Sequence, residues 1–131
     1  MLTQKWVHSL AAFNELSLNE QEQVIGRTKP DSIELIGDAM PANSHVSRTD
    51  VKSDGVALKI YRRSFPFGGA VEHGLYFLAF SCDPLCFDIM LQRMYGTSGD
   101  KIRDRLAEFS EAITGSYWFA PCSEELNIAL Q

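Results

Sequence analysis

The run Leu75-Tyr76-Phe77-Leu78-Ala79-Phe80 is apolar on both of the faces that an extended chain presents. Strand side chains alternate, so such a run avoids water only when covered on two sides. It predicts the centre of a sheet, and the rest of the chain must supply neighbours and a covering layer. Val56, Leu58 and Ile60 alternate with Ala57, Lys59 and Tyr61, the period-two pattern of a strand with one face in a core. The turn-rich Pro66-Phe67-Gly68-Gly69 separates these two strands, and a last strand is predicted over Ser116-Tyr117-Trp118-Phe119-Ala120, ahead of Pro121 and a polar tail.

Helices are predicted to cover the sheet. Trp6, Leu10, Phe13 and Leu16, with Val7 beside them, have helical spacing over residues 2–16. Ser17-Leu18-Asn19-Glu20 has the form of a capping box, which predicts a helix over 18–25 ended by Gly26. Asp83 as N-cap and Pro84 at the first helical position start another, lined by Leu85, Cys86, Ile89, Met90 and Met94 and stopped by Gly96. A further helix is predicted from about 100 to 109, with Ile102, Leu106 and Phe109 inward. Between Thr28 and Asn43, Pro30, Gly37 and Pro41 punctuate a long structured loop that Ile33, Leu35 and Ile36 anchor. Strands grouped with helices, without strict alternation and long crossovers, predict an α+β domain with an antiparallel sheet.

Composition narrows the function. Twelve Lys and Arg against 17 Asp and Glu leave a formal charge of −5, which argues against a nucleic-acid surface. No apolar run approaches the roughly 20 residues that cross a bilayer, and Met1-Leu2-Thr3-Gln4-Lys5-Trp6 lacks the form of a signal peptide, so no membrane partner and a cytoplasmic location are expected. The three cysteines are expected as reduced thiols, and Cys82-x-x-x-Cys86 lacks the second ligand pair of a zinc site. One domain over residues 1–131 is expected.

Of the three histidines, His8, His45 and His73, the most informative is His45, which ends the anchored loop in Asn43-Ser44-His45-Val46. Continuing the alternation of Val56, Leu58 and Ile60 puts Arg62 and Ser64 on the same inward face. A guanidinium aimed at an apolar side needs a partner. Either the strand emerges into solvent at Arg62, or it opens onto a polar or cofactor-bearing cavity. A neutral imidazole on one side of a haem iron, with a cationic or acidic group on the other, is what peroxide cleavage requires.

Five ordered blocks carry a resemblance over nearly the whole chain: Glu20-Gln21-Glu22-Gln23-Val24-Ile25-Gly26-Arg27-Thr28-Lys29, Asn43-Ser44-His45-Val46, Ile60-Tyr61-Arg62-Arg63-Ser64-Phe65-Pro66-Phe67-Gly68, His73-Gly74-Leu75-Tyr76-Phe77-Leu78-Ala79-Phe80 and Thr114-Gly115-Ser116-Tyr117-Trp118-Phe119-Ala120-Pro121. Together they resemble the C-terminal half of the dye-decolourising (DyP-type) peroxidases. The resemblance implies one of two ferredoxin-like α+β halves and a haem-dependent peroxidase that uses hydrogen peroxide to oxidise dyes or phenolic donors. It implies haem b as cofactor, His45 as proximal iron ligand, Arg62 as distal charge stabiliser with Ser64 close to it, and Leu75 and Phe77 against the distal face of the macrocycle. In such an enzyme, surface aromatics such as Tyr61, Tyr117 or Trp118 could relay electrons, although plain core packing is the commoner role for each. Asp104, in Arg103-Asp104-Arg105-Leu106, matches the family's acidic residue that orients the ligating imidazole, with Glu108 one helical turn on as a substitute.

One departure stands out. The family's Gly-x-x-Asp-Gly motif, which carries a distal aspartate, does not occur; Asp54-Gly55 follows Lys52-Ser53 and is expected in a hairpin turn. The chain therefore looks truncated, with the N-terminal half absent and an apolar crevice that the other half or a second copy in a homo-oligomer would cover. The alternative is a non-catalytic haem-binding or dimerising remnant of that family.

Overall fold

The computed structural model describes residues 1–53 and 55–131. It opens with strand β1, Leu2–His8, followed by helix α1, Leu10–Glu15. The helical spacing over residues 2–16 is thus realised only in its second half. The first half is hydrogen-bonded to a strand along each edge, and Leu2, Thr3, Gln4 and Trp6 are all buried, so pairing overrides a local pattern that one stripe of apolar residues would satisfy.

Helix α2, Leu18–Ile25, starts where the capping box predicts: Ser17 Oγ accepts from the Glu20 N–H, and Glu20 Oε2 accepts from the Ser17 N–H at 2.9 Å. It ends at Gly26, whose φ of 90° is the left-handed conformation glycine tolerates. The loop that follows is structured as expected, with an Arg27–Glu34 bridge and a 3-10 turn over Gly37–Ala39. It leads into α3, His45–Thr49.

A small hairpin pairs β2, Lys52–Ser53, with β3, Val56–Ala57; Asp54, expected in its turn, lies outside the described residues. Strands β4, Tyr61–Arg62, β5, Phe65–Gly68, and β6, His73–Phe80, come next. The single strand expected from Val56 to Ser64 is therefore broken, and Val56 is 68% exposed. Two hydrogen bonds explain the break. The Leu58 N–H donates to Val51 O, outside the main sheet, and Ser64 Oγ takes the place of a backbone carbonyl in accepting the Leu78 N–H.

Helix α4, Leu85–Tyr95, begins after Asp83, whose carboxylate accepts the Leu85 N–H, and Pro84, already helical in backbone; it stops at Gly96 in a left-handed conformation. Phe87 is its deepest residue, whereas Leu85, expected on the inward face, is exposed. The helix expected over 100–109 shrinks to a 3-10 turn, Arg105–Glu108. Asp100 and Asp104 turn their carboxylates back onto the N–H groups of Ile102 and Leu106, and Lys101 adopts a φ of 58°, so side chains compete successfully with the helical ladder. Strand β7 occupies Ser110–Tyr117, earlier than the Ser116–Ala120 stretch, because its ladder with β1 ends at Leu2–Tyr117; the tail forms α5, Ser123–Ala129.

In the sheet, β4 and β5 share one edge of β6, β1 takes the other edge, and β7 closes beyond β1, all antiparallel. With helices after the first strand and before the last, this is the ferredoxin-like α+β arrangement. Leu2 and Ala79 lie opposite each other on the middle strands and pack on Phe87 of α4, with Ile60, Phe77 and Leu91 around them. Where β6 crosses β1 the backbones close in tightly: a Cβ on Gly74 would sit 1.9 Å from Trp6 O.

Candidate functional site

His45 is the first residue of α3. Ser44 caps that helix, accepting the Ser47 N–H, and donates its own hydroxyl to Met40 Sδ, so the loop and helix start are fixed together. From there His45 Nδ1 reaches Asp104 Oδ2 at 2.7 Å. The Asp104 side chain is fully buried while the imidazole is 28% exposed. Asp104 Oδ1 is held separately by the Leu106 N–H at 2.9 Å. A carboxylate accepts this contact from a proton on Nδ1, and in a neutral ring that tautomer leaves the lone pair on Nε2. Glu108 does not compete: it is exposed and its nearest cation is Arg105, at 3.9 Å.

The segment carrying Asp104 is stitched to its surroundings. Its N–H donates to Met94 O at the end of α4, and the Arg105 N–H donates to Asn43 O beside the His45 helix. Arg48, one turn along α3, is only 2% exposed and forms a two-pronged ion pair with Asp100, at 2.8 and 3.1 Å. Sequence reasoning missed this pair, whose members lie 52 residues apart.

Arg62 lies opposite Ala79 in the β4–β6 ladder, so it shares the face of Ala79, Leu2 and Phe77, the face on which α4 packs. Its side chain is exposed, and so the alternation from Ile60 to Arg62 holds although the strand does not reach back to Val56. Ser64 is engaged by the Leu78 N–H. Leu75 and Phe77 point to the Arg62 face by register and are half-buried, leaving apolar surface there. Tyr61, opposite Phe80, is on the other face, with Arg63 stacked over its ring at 4.3 Å. The remaining histidines have other settings. His8 Nδ1 is 2.7 Å from Ser110 Oγ, and burial lowers its pKa; His73 is exposed.

Among the described residues no group of three or more His, Cys, Asp or Glu is placed to hold a bare metal ion, and the three cysteines are free. One imidazole oriented by a buried carboxylate is instead a donor set suited to an iron whose other ligands come from a macrocycle. The family model for the C-terminal part of Dyp-type peroxidases matches residues 1–125. The chain belongs to the Dyp-type peroxidase family.

A dye-decolorizing peroxidase of Mycobacterium tuberculosis is 43% identical over 127 residues, 95% of this chain and 38% of that protein. One from Rhodococcus erythropolis is 36% identical over 130 residues. Among solved structures, a dye-decolorizing protein from V. cholerae superposes with a TM-score of 0.90 at 47% identity, over 97% of this chain and 42% of that one. A DypB variant of Rhodococcus jostii RHA1 in complex with heme gives 0.83 at 42% identity, over 87% and 38% of the two chains. The chain thus spans about two fifths of the length of these Dyp-type relatives. No helix among the described residues is long and apolar enough to cross a membrane.

Proposed function

We propose that this chain is the haem-carrying C-terminal ferredoxin-like half of a DyP-type peroxidase, with His45 as the proximal iron ligand. The observation that carries this reading is the 2.7 Å contact between His45 Nδ1 and the buried Asp104 carboxylate. When bound, haem b supplies the redox chemistry with hydrogen peroxide, followed by oxidation of a dye or phenolic donor. Asp104 fixes the tautomer and raises the electron-donating power of the imidazole. Leu75 and Phe77 present apolar surface to the distal face. Arg62 stabilises negative charge developing on peroxide but, being always protonated, cannot shuttle the proton that heterolysis moves between the two oxygens. Ser64 keeps its hydroxyl proton free to donate while its oxygen accepts from Leu78.

Peroxide turnover therefore calls on a proton-transfer group outside these 131 residues, in the part of the relatives that the chain does not span. Haemin titration tests the proposal. The chain is expected to give a ligand-shifted Soret band, His45→Ala to lose it, and added imidazole to restore it. A spectrum unchanged by His45→Ala refutes the ligand assignment. Peroxide-dependent dye oxidation by the chain alone, with Arg62→Leu as control, tests the dependence on the remaining half.

A further inference from the structure

Arg48 is the largest of the fully buried side chains among the described residues, and the chemistry proposed for His45 does not use it. Burying a guanidinium is costly unless its donors are met, and here they are. Nε donates to Arg93 O at 2.9 Å, one terminal nitrogen to Asp100 Oδ2 at 2.8 Å, and the other to Asp100 Oδ1 at 3.1 Å and Ser98 Oγ at 3.3 Å. Arg93 answers from α4, donating to Ser47 O at 3.0 Å and Arg48 O at 3.3 Å, so carbonyls at the end of α3 are met as well.

The spacing gives this network its consequence. His45 and Arg48 are three residues apart and share a face of α3; their partners Asp104 and Asp100 are four apart on one segment that runs the opposite way. The two contacts are therefore adjacent rungs between the same two pieces of chain, 2.7 Å at one and 2.8 Å at the other. Helix α3 has only five residues, too short to hold its own direction. Asp100 also accepts the Ile102 N–H and the Ser98 hydroxyl, which rigidifies the segment that carries Asp104.

We propose that Arg48 and Asp100 are positioning residues for the His45 imidazole: the fork between the buried guanidinium and the part-exposed carboxylate fixes how α3 faces the 98–104 segment and so sets the His45–Asp104 hydrogen bond. This rests on the reading of His45 as an iron ligand, and goes beyond it by naming what makes that ligand rigid. A lysine at position 48 keeps the charge but cannot form the fork.

The experiment compares the parent chain with Arg48→Lys and Asp100→Asn. Without haem, solvent exchange of the His45 Nδ1 proton and of the amides of residues 44–49 is followed by NMR. With haemin bound and reduced, the iron–histidine stretching band is recorded by resonance Raman. Both variants are expected to speed Nδ1 exchange at least about tenfold and to move the band to lower frequency, with β1–β6 amides unchanged. Exchange within twofold of the parent and an unmoved band in Asp100→Asn overturn the proposal. Asp100 is 34% exposed, so that variant reports even if Arg48→Lys fails to fold. Loss of the His45→Ala effect on the Soret band refutes the ligand reading instead, and the haem-free exchange rates still decide whether the fork orients the ring.

Discussion

Replacing Asp104 with asparagine keeps the shape of the side chain and removes its charge at the point where charge matters. The carboxylate is fully buried, with Oδ1 on the Leu106 N–H at 2.9 Å and Oδ2 on His45 Nδ1 at 2.7 Å. An amide whose oxygen keeps the Leu106 bond turns its NH2 toward Nδ1, so two donors meet unless the imidazole moves its proton to Nε2. That tautomer relieves the clash and removes the Nε2 lone pair that the proposed iron ligation needs. The stability cost is then the loss of charge assistance, about 1–2 kcal/mol. Asp104→Ala also loses the cap of the 3-10 turn, so its total rises to about 2–4 kcal/mol. In a chain of this size these correspond to about 4–7 and about 7–15 °C in Tm. Haemin affinity, in contrast, is expected to fall about 10- to 100-fold in both variants. Urea unfolding gives the first quantity, haemin titration the second, and 15N shifts of the ring the tautomer. An Asp104→Asn protein that retains the Nδ1–H tautomer and binds haemin within twofold of the parent would show that the carboxylate does not orient the ring.

Phe87→Ala, at the 2% exposed centre of the Leu2–Ala79 cluster, is expected to cost about 3–5 kcal/mol in urea unfolding. Gly74→Ala is expected to abolish cooperative unfolding, because its Cβ would stand 1.9 Å from Trp6 O and 2.7 Å from the Phe67 ring. The Asp100 carboxyl is held down from 3.8 to about 2, first by its hydrogen bond from Arg48. A depressed folded-state value stabilises above 3.8 and is lost as pH falls toward 2, so Arg48→Leu should flatten the dependence of Tm on pH in that window relative to the parent.

What the sequence makes legible here is mostly what is decided locally. The capping box at Ser17 and Glu20 and the glycine after it settle one helix within ten residues, and the structure agrees. His45 stands out because it ends a punctuated loop, and the parity that aims Arg62 at the core face works over the two residues from Ile60. Asp104 is found by resemblance, although the helix face expected for it does not exist: its carboxylate caps a turn instead. The Arg48–Asp100 fork could not be read at all, since nothing local says that a polar residue in a short helix will be buried against an aspartate far along the chain. β1 was hidden for a related reason, its identity depending on ladders to partners as remote as Tyr117, which pairs with Leu2.

The central place of β1 also has a kinetic side. During synthesis this strand leaves the ribosome well ahead of both neighbours, and its second edge stays open until the residues of β7 have emerged. A topology of such distant pairings folds slowly, and an unsatisfied strand invites association with other chains in the meantime. Early shielding of that segment, by a chaperone or by the growing helices, should therefore govern how much of this protein reaches its native sheet in a cell.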